Sequence, residues 1–272
     1  MPINKIVASF DEAVADIQDG AVLLVGGFGP IASIPSYLLE AIARRGVKNL
    51  TIVSNTAGFG KDIWGNIFGL PYDDLDLLMK NGQVKKTIVS APISQWIENT
   101  WEKKVRAGEI EVEIVAQGTL AERIRAARAG LGGFYTYVGA GTALEEGKET
   151  KKIDGRKYLL EYPIKADFGL IKAHKGDRWG NLVYSGTSRT FNATMAGAAK
   201  VTIAEVDQIV ELGELDPEAI VTPGLYVDRV VERPREEREA GKWMSEEEKE
   251  SQRKWRVATS LKEEKDEAKG KA

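Results

Sequence analysis

The chain of 272 residues contains no cysteine and a single histidine, His174. The first absence excludes structural disulfides, thiolate nucleophiles and cysteine-held metals, and leaves the redox compartment open. The second excludes two-histidine metal motifs and confines any Ser-His-Asp arrangement to one residue. That residue lies in Leu170–Asp177, which reads as a strand end entering a charged turn, so a surface or supporting role is expected. No apolar run approaches the roughly 20 residues that a helix needs to cross a bilayer. The first residues lead into an acidic segment rather than the apolar run of a secretory leader, so the cytoplasm is the expected location. A basic excess is missing as well: the formal net charge is -3, which argues against nucleic-acid binding. Chemistry in such a chain falls to carboxylates, carboxamides and backbone N–H groups, or is completed by a second chain. Neither a metal nor a permanently bound cofactor is expected.

What is present is an alternation of strand and helix patterns. Ser9 and Glu12 have capping-box spacing, which predicts a helix over 10–17 ending at Asp19-Gly20. Ala21–Val25 is apolar throughout, as for a strand covered on both faces. Residues 36–45 repeat apolar side chains at helical spacing up to Gly46. Further strands are predicted at 50–53, 86–89 and 111–115, with helices at 73–80, 95–106 and 119–128. This rhythm predicts an α/β fold: an open, mainly parallel sheet flanked by helices on both faces. The stretch 129–165, with Gly130, Gly132, Gly133, Gly139 and Gly141 among the aromatics Phe134, Tyr135 and Tyr137, predicts a small β-rich insertion whose hairpin turns at Asp154-Gly155. Core strands follow at 167–173 and 201–204. The folded domain is expected to span 1–231. From Glu232 the composition turns to Glu, Lys and Arg, predicting a charged tail over 232–272, with a short helix from Ser245 carrying Trp243 and Trp255 and a disordered end.

Gly27-Phe28-Gly29-Pro30-Ile31-Ala32 follows a strand and matches the G-x-G-x-x-G/A dinucleotide fingerprint literally. Two features count against that reading. Pro30 and Pro35 delay the helix, whose N-terminus would otherwise meet a pyrophosphate. The second strand ends in Ser54-Asn55 instead of the acidic residue that binds ribose. A glycine loop at a strand's carboxyl end can also turn backbone N–H groups toward an oxyanion, or be a tight turn with no ligand.

Asp19-Gly20, the apolar run Ala21–Val25 and Gly26-Gly27-Phe28 resemble the N-terminal motif of the 3-oxoacid CoA-transferase family (family I), α-subunit type. The resemblance continues through Val53-Ser54-Asn55, Gln117–Ile124, Gly147-Lys148-Glu149, Ala166-Asp167-Phe168, Asp177–Leu182, Gly213–Pro217 and Thr222-Pro223-Gly224, in order over residues 4–231. It implies transfer of CoA from an acyl-CoA such as succinyl-CoA to a 3-oxo acid such as acetoacetate or 3-oxoadipate. It further implies an α2β2 assembly in which a β-subunit glutamate, within a Ser-Glu-Asn-Gly-like motif, becomes the glutamyl-CoA thioester. Here Ile97-Glu98-Asn99-Thr100 is the nearest string, without the glycine, and reads as a surface face in mid-helix. The nucleophile is therefore expected in trans, with coenzyme A as substrate.

By the same resemblance, Gly26, Gly27, Phe28 and Gly29 form the oxyanion-hole loop, Gln117 serves the reaction and Asn55 binds substrate. Neutral carboxamides suit these tasks because they donate hydrogen bonds without changing protonation state. On the residues alone, Asn55 could equally cap a loop and Gln117 could form the turn before a helix. Three features depart from the family pattern: the Gly29–Pro35 connection is one residue longer, with Ala32 in place of a glycine; Thr56 replaces a second asparagine; and 60–72, with Trp64, Phe68 and Tyr72, diverges. The tail is also longer than most α-subunits carry. A thioester hydrolase or ring-opening enzyme on the same fold, and a non-catalytic ligand-binding protein, are the competing expectations.

Overall fold

The computed structural model describes residues 3–28, 33–60, 73–92 and 98–234. The tail beyond 234, the segment with Trp64, Phe68 and Tyr72, and Gly29 to Ala32 lie outside them. Ser9 accepts the Glu12 N–H at 3.1 Å, and the Glu12 carboxylate returns to the Ala8 N–H at 2.9 Å. The helix so started, α1 (Phe10–Ala13), is shorter than predicted. Tighter i→i+3 turns replace it and still bury Val14 and Ile17.

There follow β1 (Val22–Val25), α2 (Ser36–Arg45), β2 (Leu50–Ser54), α3 (Asp76–Lys80), β3 (Val84–Val89), α4 (Thr100–Arg106), β4 (Glu111–Ile114) and α5 (Gln117–Arg128). The insertion holds β5 (Phe134–Thr136), β6 (Thr150–Ile153) and β7 (Arg156–Glu161). After it come β8 (Ala166–Asp177), β9 (Leu182–Val183), α6 (Thr190–Met195), β10 (Ala199–Val210) and β11 (Arg229–Glu232). The main sheet runs β11-β10-β8-β1-β2-β3-β4, parallel throughout, with β9 antiparallel beside β8. The insertion is a separate antiparallel sheet, β5-β7-β6. Its hairpin turns at Asp154 (φ 47°) and Gly155 (φ 80°), both left-handed as a two-residue turn requires.

Alternate residues of the central strands enter two cores. Leu23, Val25, Ile52 and Leu170 face α1 to α4, while Leu24, Val53 and Ile171 face α5 and α6. This is the two-sided cover that the continuous apolar runs predict. Several boundaries differ from expectation. The strands β8 and β10 each run 12 residues, because their charged second halves pair with each other beyond the end of β1. His174 consequently lies inside β8 instead of at a strand end, with Nδ1 3.4 Å from Asp207 Oδ2. The predicted start of the 95–106 helix is corrected too. Asn99 is the N-cap of α4, joined to Glu102 in a reciprocal capping box, and is buried; it is no mid-helix surface residue.

Helix α2 has Pro35 at its N-cap and no side-chain cap of its own. The buried Glu205 of β10 replaces one: its Oε2 accepts the N–H groups of Tyr37 (3.0 Å) and Leu38 (3.2 Å). Arg233 Nε lies 3.2 Å from Glu205 Oε1, and Arg233 Nη1 bonds Asp207 Oδ1 at 3.0 Å. Burial pushes the Glu205 carboxyl up to about 7, against the opposing pull of Arg233 and Lys172. The native state thus keeps a proton that the unfolded chain releases near 4.5. Stability falls as pH rises between those values. The Glu205→Gln variant should lose this slope, so its unfolding free energy should gain on the parent protein's from pH 4.5 to 7. Parallel slopes in urea titrations across that range would refute the assignment.

Candidate functional site

Chain order reverses in the sheet between β1 and β8: β2 to β4 extend to one side, and β8, β10 and β11 to the other. In a parallel sheet this switch point opens a crevice beyond the carboxyl ends of the strands, where ligands bind. The loops leaving β1, β2 and β3 all stand at that edge. Their register, Leu24 opposite Val53 and Ser54 opposite Val89, continues to place Gly26 beside Asn55 and Asn55 beside Ser90.

The glycine loop starts while still in the sheet, where the Gly26 N–H bonds Leu170 O at 2.9 Å. Gly27 then takes φ +107°, a conformation that side chains other than glycine's rarely adopt. The Phe28 N–H reaches Ser33 Oγ at 3.3 Å, and Phe28 itself is exposed. Among the described residues the Gly27 N–H has no acceptor. Of the predicted loop, Gly29 lies outside the described residues. A Cβ on Gly26 would sit 1.9 Å from Asn192 Oδ1, and one on Gly27 would sit 2.9 Å from Ile34 Cγ1. Both glycines are therefore required by close packing, and Gly27 by its conformation as well.

Asn55 and Gln117, far apart in sequence, meet directly: Gln117 Nε2 donates to Asn55 Oδ1 at 2.7 Å. The Ser90 hydroxyl donates to the same oxygen at 2.7 Å. Asn55 is fully buried, and its Nδ2 has no partner among the described residues. Gln117 is exposed, in the first turn of α5 and not in a turn before it. The Asn55 backbone carbonyl takes the N–H of Ala91 at 2.8 Å, so β2 and β3 stay zipped one residue past their strand ends.

Several residues that build this edge carry no local sequence signal. Asn192 of α6 accepts the Lys172 N–H at 2.9 Å and donates to Ser33 O at 2.8 Å. Asp74 accepts the N–H groups of Phe59 (2.7 Å) and Gly60 (3.1 Å), pinning the loop after β2. Asn99 donates to Pro92 O at 2.9 Å and pins the loop after β3. Ser90 and Asn192 escape a motif reading because the partners that give them these roles are 35 and 20 residues away or more.

The sequence pattern of the coenzyme A transferase family matches residues 7–233. The chain belongs to this family. This CoA-transferase chain is 52% identical over 229 residues to the A-type subunit of 3-oxoadipate CoA-transferase from Pseudomonas putida, covering 84% of this chain and 94% of that one. It is 48% identical over 229 residues to the A-type subunit of the probable succinyl-CoA:3-ketoacid coenzyme A transferase of Bacillus subtilis, covering 84% and 90%. Its fold is similar to that of the acyl-CoA transferase apoenzyme from Escherichia coli O157:H7, with a TM-score of 0.73 at 24% identity. The match covers 86% of this chain but only 48% of the E. coli chain, so this chain spans about half of that protein.

The CoA-transferase geometry also disposes of the dinucleotide reading. The Tyr37 and Leu38 N–H groups in the first turn of α2 are already bonded to the Glu205 carboxylate and are not available to a pyrophosphate. Among the described residues, no group of three or more His, Asp or Glu is placed to hold a metal ion, and no helix is long and apolar enough to cross a membrane. A Gly26→Ala substitution should drive the new methyl into Asn192 and cost about 3 kcal/mol, lowering Tm by roughly 6–12 °C. A thermal scan showing an unchanged Tm would remove the packing constraint assigned to Gly26.

Proposed function

We propose that this chain is the α-type half of a heteromeric CoA-transferase. In this reading CoA moves from an acyl-CoA such as succinyl-CoA to a 3-oxo acid such as 3-oxoadipate or acetoacetate. Coenzyme A is a substrate, no cofactor is held permanently, and the enzyme works in the cytoplasm. The folded domain runs past the expected end at Val231, since β11 ends at Glu232 and buried Arg233 meets Glu205 and Asp207, and the charged sequence beyond is an appended tail. A β-subunit supplies the nucleophilic glutamate, and the assembly is α2β2. That glutamate attacks the acyl-CoA carbonyl and expels CoA thiolate to give a mixed anhydride; the thiolate then attacks the glutamyl carbonyl, releasing the donor carboxylate and leaving the glutamyl-CoA thioester, from which the acceptor carboxylate takes CoA by the reverse steps.

The observation that carries the reading is the hydrogen-bonded Gln117–Asn55–Ser90 chain beside the glycine loop. Gly26, Gly27, Phe28, Asn55, Ser90 and Gln117 bring no carboxylate or imidazole; the Gly26, Phe28 and Ser90 donors are spent within the protein, which leaves, among the described residues, the Gly27 N–H, Asn55 Nδ2 and the second hydrogen of Gln117 Nε2. Such a surface stabilises charge developing on an acyl oxygen and needs its nucleophile from elsewhere. Within it, the exposed Gln117 carboxamide meets the ligand, while buried Asn55 fixes its position. Gly27 N–H, held at a backbone φ of +107°, is the backbone donor of the oxyanion hole, which the resemblance assigns to the Gly26-Gly27-Phe28-Gly29 loop. Fixed neutral dipoles of this kind need no reorganisation as charge develops, which is why they lower the barrier more than water does.

The deciding assay is CoA transfer from succinyl-CoA to acetoacetate or 3-oxoadipate, with this chain alone and with its β-subunit. Turnover is expected only in the mixture, with a thioester trapped on the β-subunit glutamate. Turnover by the lone chain would place the nucleophile here and overturn the reading. Thioester hydrolysis without transfer would mean that water, not a carboxylate, resolves the intermediate. In the active mixture Gln117→Ala should lower kcat by roughly 100-fold, the typical loss of one oxyanion donor, while the affinity between the two chains stays unchanged. Unaltered kcat would return Gln117 to a purely structural position.

A further inference from the structure

We infer that Asn192 is the positioning residue of the glycine loop, its carboxamide occupying the rung of the sheet that β1 leaves empty. This rests on the reading that the loop's N–H groups stabilise the acyl oxyanion. In the β1–β8 register, Val25 lies opposite Leu170, so Gly26 would lie opposite Ile171. A parallel ladder alternates its bonds: Gly26 N–H to Leu170 O, then Lys172 N–H to Gly26 O. The first bond is present at 2.9 Å. In place of the second, Lys172 N–H donates to Asn192 Oδ1 at 2.9 Å. The side chain stands where the strand's next carbonyl would be, and the chain at Gly26-Gly27 is free to turn out of the sheet.

The same carboxamide fixes where the loop comes back. Both Nδ2 hydrogens are used, one to Ser33 O at 2.8 Å and one to Ser188 O at 2.9 Å. Ser33 in turn takes the Phe28 N–H on its Oγ. Departure at Gly26 and return at Ser33 are thus tied to one rigid planar group, and the Gly27 N–H lies one residue past the first of these anchors, with Phe28 bonded to the second. Asn192 is wholly buried, on a helix whose Phe191 and Met195 join an apolar cluster where an unpaired amide would be costly. The backbone is also bent to deliver it: Thr190, which opens α6, has φ 29° and ψ −134°, a left-handed conformation unfavourable for a threonine. Gly26 completes the fit, since its missing Cβ is the space that Asn192 Oδ1 fills.

The test uses the assembled two-chain enzyme and compares Asn192→Ala with Met195→Ala, a buried neighbour on the same helix whose side chain makes none of these bonds. Asn192→Ala should lower kcat roughly 10- to 100-fold with KM for the acyl-CoA within about twofold, because the oxyanion contact forms only in the transition state. Met195→Ala should lose Tm but keep kcat within about twofold. Asn192→Asp keeps the acceptor for Lys172 but turns a second acceptor toward the Ser33 and Ser188 carbonyls. It should regain part of the lost kcat as pH falls and its carboxyl becomes a donor. Equal loss of kcat in the Ala variants of both residues, or a flat pH profile for the Asp variant relative to the parent enzyme, overturns the inference. If Asn192→Ala fails to assemble, the Asp profile decides alone. Gly27→Ala separates the two levels. Lost kcat there with normal kcat in Asn192→Ala sinks only the positioning role, whereas normal kcat in Gly27→Ala sinks the oxyanion-loop reading and this inference with it.

Discussion

Everything at the carboxyl edge of the main sheet depends on one constraint: where the backbone leaves a buried strand, its polar groups must still be paired. The protein meets it with buried polar side chains brought in from distant segments. Asn192 serves the departure of β1, Asp74 holds the loop after β2, Asn99 holds the loop after β3, and Glu205 closes the first turn of α2. Each of these bonds goes to backbone atoms rather than to another side chain. The loops are therefore held by short, directional contacts in a region shielded from water, where such bonds resist exchange. A glycine-rich segment with φ +107° at one position would otherwise have many conformations to choose from.

The sheet is legible in the sequence because its chemistry is local. Ala21–Val25 shows no polar alternation, and both faces of β1 prove to be covered. Apolar spacing bounds helix α2 correctly, as does Gly46, which sits at φ 71° in the left-handed C-cap position. Strands β8 and β10 are longer than their apolar stretches suggest, for a related reason. Beyond the predicted strand ends at Ala173 and Ala204 lie His174, Lys175, Asp177, Glu205 and Asp207, polar residues that a local reading leaves outside the strands. In the fold Asp207 of β10 faces both Lys172 and His174 of β8, so the polar stretches extend the sheet instead of ending it.

The candidate site is legible as a set of residues and not as an arrangement. Family resemblance singles out Asn55 and Gln117, and nothing in either segment reveals the hydrogen bond between them or the part taken by Ser90. Exposure is also invisible: the residue at the strand end is buried, and the one opening a helix faces solvent. Asn99 shows the same limit. Within its own string it resembles any polar helix residue, and only its bond to Pro92 O reveals a loop anchor. Long-range pairing decides such roles, and a single chain read in order does not display it.

The position of β1 in the middle of the sheet has a consequence for how the protein is made. Leu23 pairs with Ile52 on one side and with Phe168 on the other. A ribosome adding about 5–20 residues per second delivers the second partner roughly 7–30 s after the first strand has emerged. Through that interval the half-sheet of β1 to β4 presents a long apolar edge with unpaired backbone, the kind of template on which nascent chains stick to one another. The last strands also bring residue 230 back to the N-terminal segment, where the Val7 N–H bonds Val230 O at 3.0 Å. The order of translation thus sets the nascent chain's period of greatest vulnerability: the sheet's central strand, among the first made, is enclosed only after most of the chain has emerged, and the N-terminal segment finds its partner later still.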